Sequence, residues 1–357
     1  MDSSADEIEF NEFGECNFCL DARALKRIII KNNLFGDWIN SIKNSLTNRI
    51  GSEVGILGLS GGVDSSYLLH LLANFDIRPL VVHIDCGWNS YHASRNIFKL
   101  VNKLNLDLET IVIDWNKVRT IQLAFLKSGI KNQDIPQDYI YFSTLFNYAE
   151  SLNIKHVFLG SNYATENILP KTWGESALDF KLINSIYKKY NHDSELDLPK
   201  IDSLTVLLKS KILNTYKIHS PLNFLNYSKN IAMQTLIQNY GWEDYGGKHK
   251  ESIFTSYYQD VYLPKRFGIV KNKAHLSSLI VNGEISRPEA ILTLESSLKS
   301  ESEASILRSK VARKLEIEYW ELEEYEMLQP RIRTKFKKNI FRNFLAKILE
   351  KILLFLH

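Results

Sequence analysis

The stretch GILGLSGGVDSSYLLHLLANF, residues 55–75, changes character at its centre. Before SGGVDSS (60–66), EVGILGL is a short apolar run of strand length. After it, SYLLHLLANF repeats apolar residues at helical spacing. A strand therefore passes into a helix through two glycines, an aspartate and three serines. Gly61 and Gly62 permit positive φ and let a ligand approach the backbone. The helix that follows aims free N–H groups and the positive end of its dipole at the turn. Ser60, Ser65 and Ser66 add hydroxyl donors. Asp64 can cap the helix or hold a magnesium ion that bridges to phosphate. These parts make a phosphate cradle. It is not the Walker form, which needs a lysine that is missing here, and it does not fit GxGxxG.

Outward from this turn, apolar runs suited to strands occupy 54–59, 80–84, 108–113 and 156–160. Helical patterns fill 65–74, 91–104, 118–127 and 139–152. Such alternation predicts an α/β fold: a doubly wound parallel sheet with helices on both faces. Residues 21–50 read as helical. Beyond about 163 the strand signal fades and the chain reads as mainly helical. Four regions follow: a cysteine-containing element at 1–20, a nucleotide-binding domain at 21–165, a helical substrate region at 166–330, and a basic amphipathic helix at 331–357.

The composition is that of a globular protein, with 357 residues, 45% hydrophobic and 24% charged. A net charge of +3 is too small to imply nucleic acid. From 331 to 357 there are eight Lys/Arg against one Glu, about +7, which leaves about −4 for the rest. The tail, RIRTKFKKNIFRNFLAKILEKILLFLH, sets Phe336, Ile340, Phe344, Ile348, Ile352 and Phe355 on one helical face. It suits an anionic membrane surface, a partner, or packing on its own domain. The acidic opening residues lack the apolar core of a secretory signal, and no stretch approaches the length of a membrane span. With three cysteines, this gives a cytoplasmic expectation, with peripheral contact at the inner membrane through the tail.

SGGVDSS resembles the PP-loop of the ATP-pyrophosphatase superfamily, the adenine nucleotide alpha hydrolase-like fold. That resemblance implies that Ser60, Gly61, Gly62, Asp64 and Ser65 grip the pyrophosphate of ATP. It sets His83 and Asp85, at the end of the second strand, near adenosine, and Gly160, Ser161 and Asn162 on another wall. The residues alone leave Asp85 open as a turn cap and His83 as a packed side chain. VHIDCGWNS, LGSNYATE and the block WEDYGGKHKES onward resemble the N-acetyl sugar amidotransferase family of bacterial surface polysaccharides, from about residue 10 to about 291. The resemblance implies attack by an acetamido oxygen on ATP, then ammonia, to give an acetamidino sugar of lipopolysaccharide O-antigen, AMP and pyrophosphate. Lys248 is the candidate cation at the phosphates, with Lys265 and Arg266 behind it, and His249 the candidate proton carrier. Trp88 and Tyr163 can stack on the sugar or its base, or pack in the core.

No glutaminase constellation is present, and the resemblance implies ammonia from a separate glutamine amidotransferase with a cyclase-like partner. Cys16 and Cys19 have metal-ligand spacing, but one pair leaves a tetrahedral zinc site incomplete. In the family an earlier C-x-x-C precedes such a pair, so Met1 is expected to be an internal start and zinc to depend on upstream cysteines. Two other readings stand beside the main one: a tRNA-modifying PP-loop enzyme, and a non-catalytic nucleotide-binding subunit.

Overall fold

The computed structural model describes residues 1–32, 34–46, 55–173, 176–192, 194–246, 250–327 and 336–355. Helices α1 (Asn17–Asn32) and α2 (Phe35–Leu46) precede the sheet. Strand and helix then alternate: β1 (Ile56–Gly58), α3 (Val63–Asn74), β2 (Leu80–Asp85), α4 (Tyr91–Leu104), β3 (Leu108–Val112), α5 (Trp115–Ser128), α6 (Ile135–Ser151), β4 (His156–Phe158). A short helix α7 (Tyr163–Glu166) follows β4, then α8 (Phe180–Tyr190) and α9 (Ser203–Leu207). Strand β5 (Lys217–His219) completes a five-stranded sheet in the order β3-β2-β1-β4-β5, with every pairing parallel.

Alternate strand residues feed opposite faces, as the two-residue period of a strand requires. Ile56, Val82 and Val157 enter one core with Phe125 of α5, Tyr139 and Leu145 of α6, and Ile183 of α8. Leu57, Val81 and Phe158 enter the other with Trp38 and Ile42 of α2, Leu68 and Leu72 of α3, and Leu100 of α4. Both faces are covered, which explains why β1 and β2 read as unbroken apolar runs.

The sheet extends past the boundary expected near 165, because β5 lies beyond it. Lys217-Ile218-His219 is short and half exposed, so it carries no apolar run. His219 seats it: Trp38 Nε1 donates to His219 Nδ1 at 3.0 Å, and His156 Nδ1 lies 3.0 Å from His219 Nε2. Burial, then the neighbouring His156, lowers the His219 pKa to about 3.

The remainder is helical: α10 (Lys229–Tyr240), α11 (Ile253–Tyr257), α12 (Leu263–Phe267), α13 (Asn272–Asn282), α14 (Arg287–Ser297), α15 (Glu301–Leu315), α16 (Tyr319–Met327) and α17 (Ile340–Phe355). A π-helical turn at Tyr258–Tyr262 joins α11 to α12. Buried Glu326 ties this part together. It accepts Arg308 Nε at 2.8 Å and Tyr257 Oη at 3.0 Å, and pairs with Lys265 Nζ at 2.9 Å.

The tail helix α17 docks on its own chain. Arg342 Nε pairs with Asp202 Oδ2 at 2.7 Å, and Asn343 Nδ2 donates to Asp179 Oδ2 at 3.1 Å. Those two aspartates also cap α9 and α8, so the tail closes on two helix starts. Ile340, Phe344 and Ile348 remain exposed. Among the described residues no helix is long and apolar enough to cross a membrane.

Candidate nucleotide site

The strand order reverses direction between β1 and β4, so the crevice beyond their carboxyl ends is the switch point where such sheets take ligands. Residues 60–66 lie there. Gly61 has φ +84°, and a Cβ on it would stand 2.7 Å from the Ala93 carbonyl oxygen. The turn therefore needs glycine on both conformational and steric grounds. Gly160 closes the other side, since a Cβ there would lie 2.6 Å from Ser65 N. The segment after β4 and the first turn of α3 thus meet backbone to backbone.

Helix α3 starts at Gly62 without any side-chain cap. Its first-turn N–H groups and the positive end of its dipole therefore face the turn without a side-chain cap. Ser60 Oγ and Ser65 Oγ lie 3.2 Å apart, and Gly62 N donates to Ser60 Oγ at 3.2 Å. These long contacts leave the hydroxyls able to turn toward a ligand. Ser66 Oγ is fully buried and has no hydrogen-bond partner among the described residues.

Asp64 does not cap the helix. Tyr227, from the loop before α10, donates its hydroxyl to Asp64 Oδ1. Burial, then the Asp64 carboxylate, pushes the Tyr227 hydroxyl well above the phenol range, so it stays a donor. A second carboxylate borders the loop: Glu251 Oε1 would lie 3.0 Å from a Cβ on Gly62. Tyr245 hydrogen-bonds Glu251. Burial, then Glu251 and Asp64, holds its hydroxyl protonated.

Backbone pairing delivers Glu251. Ser90 N donates to Glu251 O at 2.7 Å, and Ile253 N to Trp88 O at 2.8 Å. The front of the same block is fixed on α4, where Asn96 Nδ2 donates to Glu243 O at 2.9 Å and Lys99 Nζ meets Glu243 Oε1 at 2.7 Å. Both ends of WEDYGGKHKES are thus anchored beside the loop. Lys248 and His249 lie outside the described residues.

His83 is a strut. Its Nδ1 donates to Leu59 O at 2.8 Å, and its Nε2 accepts from Asn89 Nδ2 at 2.8 Å. These partners require the Nδ1–H tautomer. Asp85 Oδ1 accepts from Gly87 N at 2.7 Å and Asn89 Nδ2 at 3.0 Å, so it holds the turn after β2. Asn162 is buried and caps α7, accepting from Thr165 N at 3.0 Å, while exposed Ser161 meets Ser220 Oγ at 3.0 Å.

Three expected substrate contacts are engaged elsewhere. Trp88 is 1% exposed, with its ring 5.1 Å from Trp115 and 5.2 Å from Phe254, so it is core rather than a stacking platform. Arg266 is 8% exposed and donates to Tyr262 Oη at 3.0 Å. Lys265 is paired with Glu326, as above. Tyr163 is 47% exposed and remains accessible.

Cys16 and Cys19 open α1, with Cys19 N donating to Cys16 Sγ at 3.4 Å. Burial, then Cys16, pushes the Cys19 thiol up to about 11. Among the described residues no group of three or more His, Cys, Asp or Glu is placed to hold a metal, so the expected zinc gains no third ligand here. Cys86 lies at the end of β2, where burial and Asp85 push it up to about 12.

A feature the motifs did not signal lies at the start of α6. Asp134 accepts from Thr255 Oγ1 at 3.0 Å, and Asp138 sits beside it near Lys271 and Glu166. Burial, then Asp134, raises the Asp138 pKa from 3.8 to about 7. Between these values the unfolded chain has lost its proton and the native chain keeps it. Stability is therefore fully present below about pH 4 and is lost as pH rises toward 7. Asp138→Asn should flatten that slope. Denaturant unfolding at about pH 5 and about pH 8 reads it, and an unchanged difference between the two would remove Asp138 as the cause.

Fold and loop together define an α/β chain with a glycine-rich strand-to-helix turn at its switch point. Residues 251–350 match the family model described as the C-terminal domain of WbpG-like lipopolysaccharide biosynthesis proteins, which supports the resemblance read up to about residue 291 from Glu251 on. A glutamine-hydrolysing GMP synthase from Baumannia cicadellinicola subsp. Homalodisca coagulata is 28% identical over 212 residues, 54% of this chain and 38% of that protein. The match thus spans well under half of that relative's length. Similar solved structures include the NH3-dependent NAD synthetase of Campylobacter jejuni subsp. jejuni NCTC 11168, at 19% identity over 58% of this chain and 93% of that one, TM-score 0.30. The NMN synthetase of Francisella tularensis is 17% identical over 72% of this chain and 95% of that one, also at TM-score 0.30.

Proposed function

We propose that the protein is an ATP-dependent, AMP-forming amidotransferase that converts the acetamido group of a nucleotide-linked N-acetyl sugar into an acetamidino group during lipopolysaccharide biosynthesis. The observation that carries this reading is the uncapped start of α3, reached through Gly61 and Gly62, with Asp64 fixed beside it. The match over 251–350 supports the pathway. The partial likeness to a glutamine-hydrolysing synthase supports glutamine-derived ammonia as the nitrogen donor, which we propose a separate partner supplies.

An amide resists ammonia because its oxygen leaves poorly. Attack by that oxygen on the α-phosphorus of ATP expels pyrophosphate and gives an O-adenylyl imidate. Ammonia then adds to the imidate carbon, AMP departs with the former amide oxygen, and the amidine remains. The chain's task is to position the groups and stabilise charge. The N–H groups of the turn and of α3 receive the departing pyrophosphate, with Ser60 and Ser65 as hydroxyl donors. Asp64 and Glu251 would hold a magnesium ion, two carboxylates plus phosphate oxygens being its usual setting. When bound, the ion neutralises charge on the leaving group. Tyr227 and Tyr245 keep the two carboxylates in place. Lys248 and His249 remain the proposed cation and proton carrier.

Release of pyrophosphate and AMP tests the reading. It should require ATP, magnesium, an ammonium salt and an N-acetylated nucleotide sugar together. Release driven by tRNA alone would favour the RNA-modifying alternative. ATP binding without turnover on any of these would favour the non-catalytic one.

A further inference from the structure

Beside the glycine-rich turn, a shallow open cleft lies between the segments that follow β4 and β5, with α1 and α13 lining it as well. Tyr163 and Asn167 supply one wall, and Asn223 and Asn226 the other. Tyr227 forms part of the lining, and its hydroxyl is the one that holds Asp64. Tyr227 thus links the cleft to the loop. Both walls stand at carboxyl ends of parallel strands next to the switch point, where this architecture takes ligands.

The lining has a definite chemistry. Asn167 and Asn226 make no side-chain hydrogen bond to another described residue. Asn223 uses its carbonyl oxygen on Tyr163 N at 2.7 Å, which leaves its NH2 group for a ligand. Each carboxamide offers donors and an acceptor in one plane. The half-exposed Tyr163 ring adds an apolar face with a polar tip, and Leu222 and Val281 add aliphatic surface. Lys26 is the charged residue of the lining, and its Nζ donates to Asn282 O. Neutral planar amides, an aromatic face and little charge suit an uncharged ligand with adjacent hydroxyl and amide groups on an apolar ring. They do not suit a polyphosphate.

We infer that this cleft binds the N-acetyl sugar ring itself, with its acetamido group turned toward the loop. The inference rests on the proposed amidotransferase reading and adds where its acceptor sits. It separates the two ends of the substrate: the sugar lies in the cleft, and any nucleotide carrier lies outside it.

Titration calorimetry with the full chain tests this, using UDP-N-acetylglucosamine and UDP as separate probes. Asn226→Ala and Tyr163→Ala alter exposed side chains and should leave Tm and ATP affinity unchanged. Each should weaken UDP-N-acetylglucosamine about tenfold, the scale of one lost hydrogen bond or stacking face, and leave UDP alone unaffected. Equal weakening of UDP and the sugar nucleotide would overturn the assignment, because the cleft would then hold the carrier. Unchanged sugar affinity in the double variant would overturn the site while sparing the amidotransferase reading. If wild-type protein releases pyrophosphate with tRNA and binds no N-acetylated sugar nucleotide, both fall together.

Discussion

Asp64→Ala should lower pyrophosphate release by about 1,000-fold or more, the scale of losing a preorganised electrostatic contact at the reacting phosphate. Asp64 is the carboxylate that the structure aims most firmly. It sits in the first turn of α3, and Tyr227 fixes one of its oxygens. Asp64→Asn separates charge from shape. The amide keeps an acceptor for the Tyr227 hydroxyl, losing the charge assistance of that bond and a favourable dipole interaction of about 0.3–1 kcal/mol. Its fold should survive with little change in Tm, while turnover falls nearly as far as in the alanine variant. Initial rates at saturating ATP and magnesium measure both. An asparagine variant that turns over within a few-fold of the parent would remove the carboxylate from the mechanism.

Gly61→Val should be the second most damaging change, by a different route. A β-branched residue at φ +84° is strained, with a left-handed penalty of about 1–2 kcal/mol even for ordinary residues. Its Cβ would also stand 2.7 Å from the Ala93 carbonyl, at the start of α4. The turn must move, and a displacement of about 1 Å at a phosphate cradle costs on the order of 100-fold in rate. The variant should show lower Tm, weaker ATP binding and at least that loss in kcat/KM. Gly241→Val is a useful contrast. It also has positive φ, but open space surrounds its Cβ, so it should lose stability and keep ATP affinity.

Much of the fold was legible because β1, β2 and β4 are covered on both faces and so read as plain apolar runs. Helix α4 matches its expected span because Ser90 caps it and Asn105 ends it in a left-handed conformation, both local events. Strand β5 was not legible. Three residues with a lysine and a histidine carry no period, and tertiary contacts through Trp38 and His156 place them. The glycine-rich turn was readable as a strand-to-helix junction. What surrounds it was not. Tyr227 and Glu251 reach Asp64 and Gly62 from far along the chain; no local pattern marks Tyr227, and the quoted block that holds Glu251 does not reveal its place at the loop.

Burial misled in the same way. Trp88 stands one turn past a strand end, where a ligand platform is plausible, and only the packing of Trp115 and Phe254 shows it to be core. Lys265 and Arg266 looked like free cations because their partners, Glu326 and the Tyr325 carbonyl, lie on another helix. Asp138 carried no motif at all. Its proton affinity comes from burial beside Asp134, a consequence of how α6 meets the segment after Glu251.

The most direct measurement follows one oxygen atom. An N-acetylated nucleotide sugar labelled with ¹⁸O in its acetamido carbonyl is incubated with the protein, ATP, magnesium and ammonium salt, and the AMP is weighed by mass spectrometry. If the amide oxygen attacks the α-phosphorus, each AMP formed carries one heavy oxygen and the sugar product carries none. Heavy oxygen retained in the sugar, with unlabelled AMP, would contradict adenylation of the acetamido group.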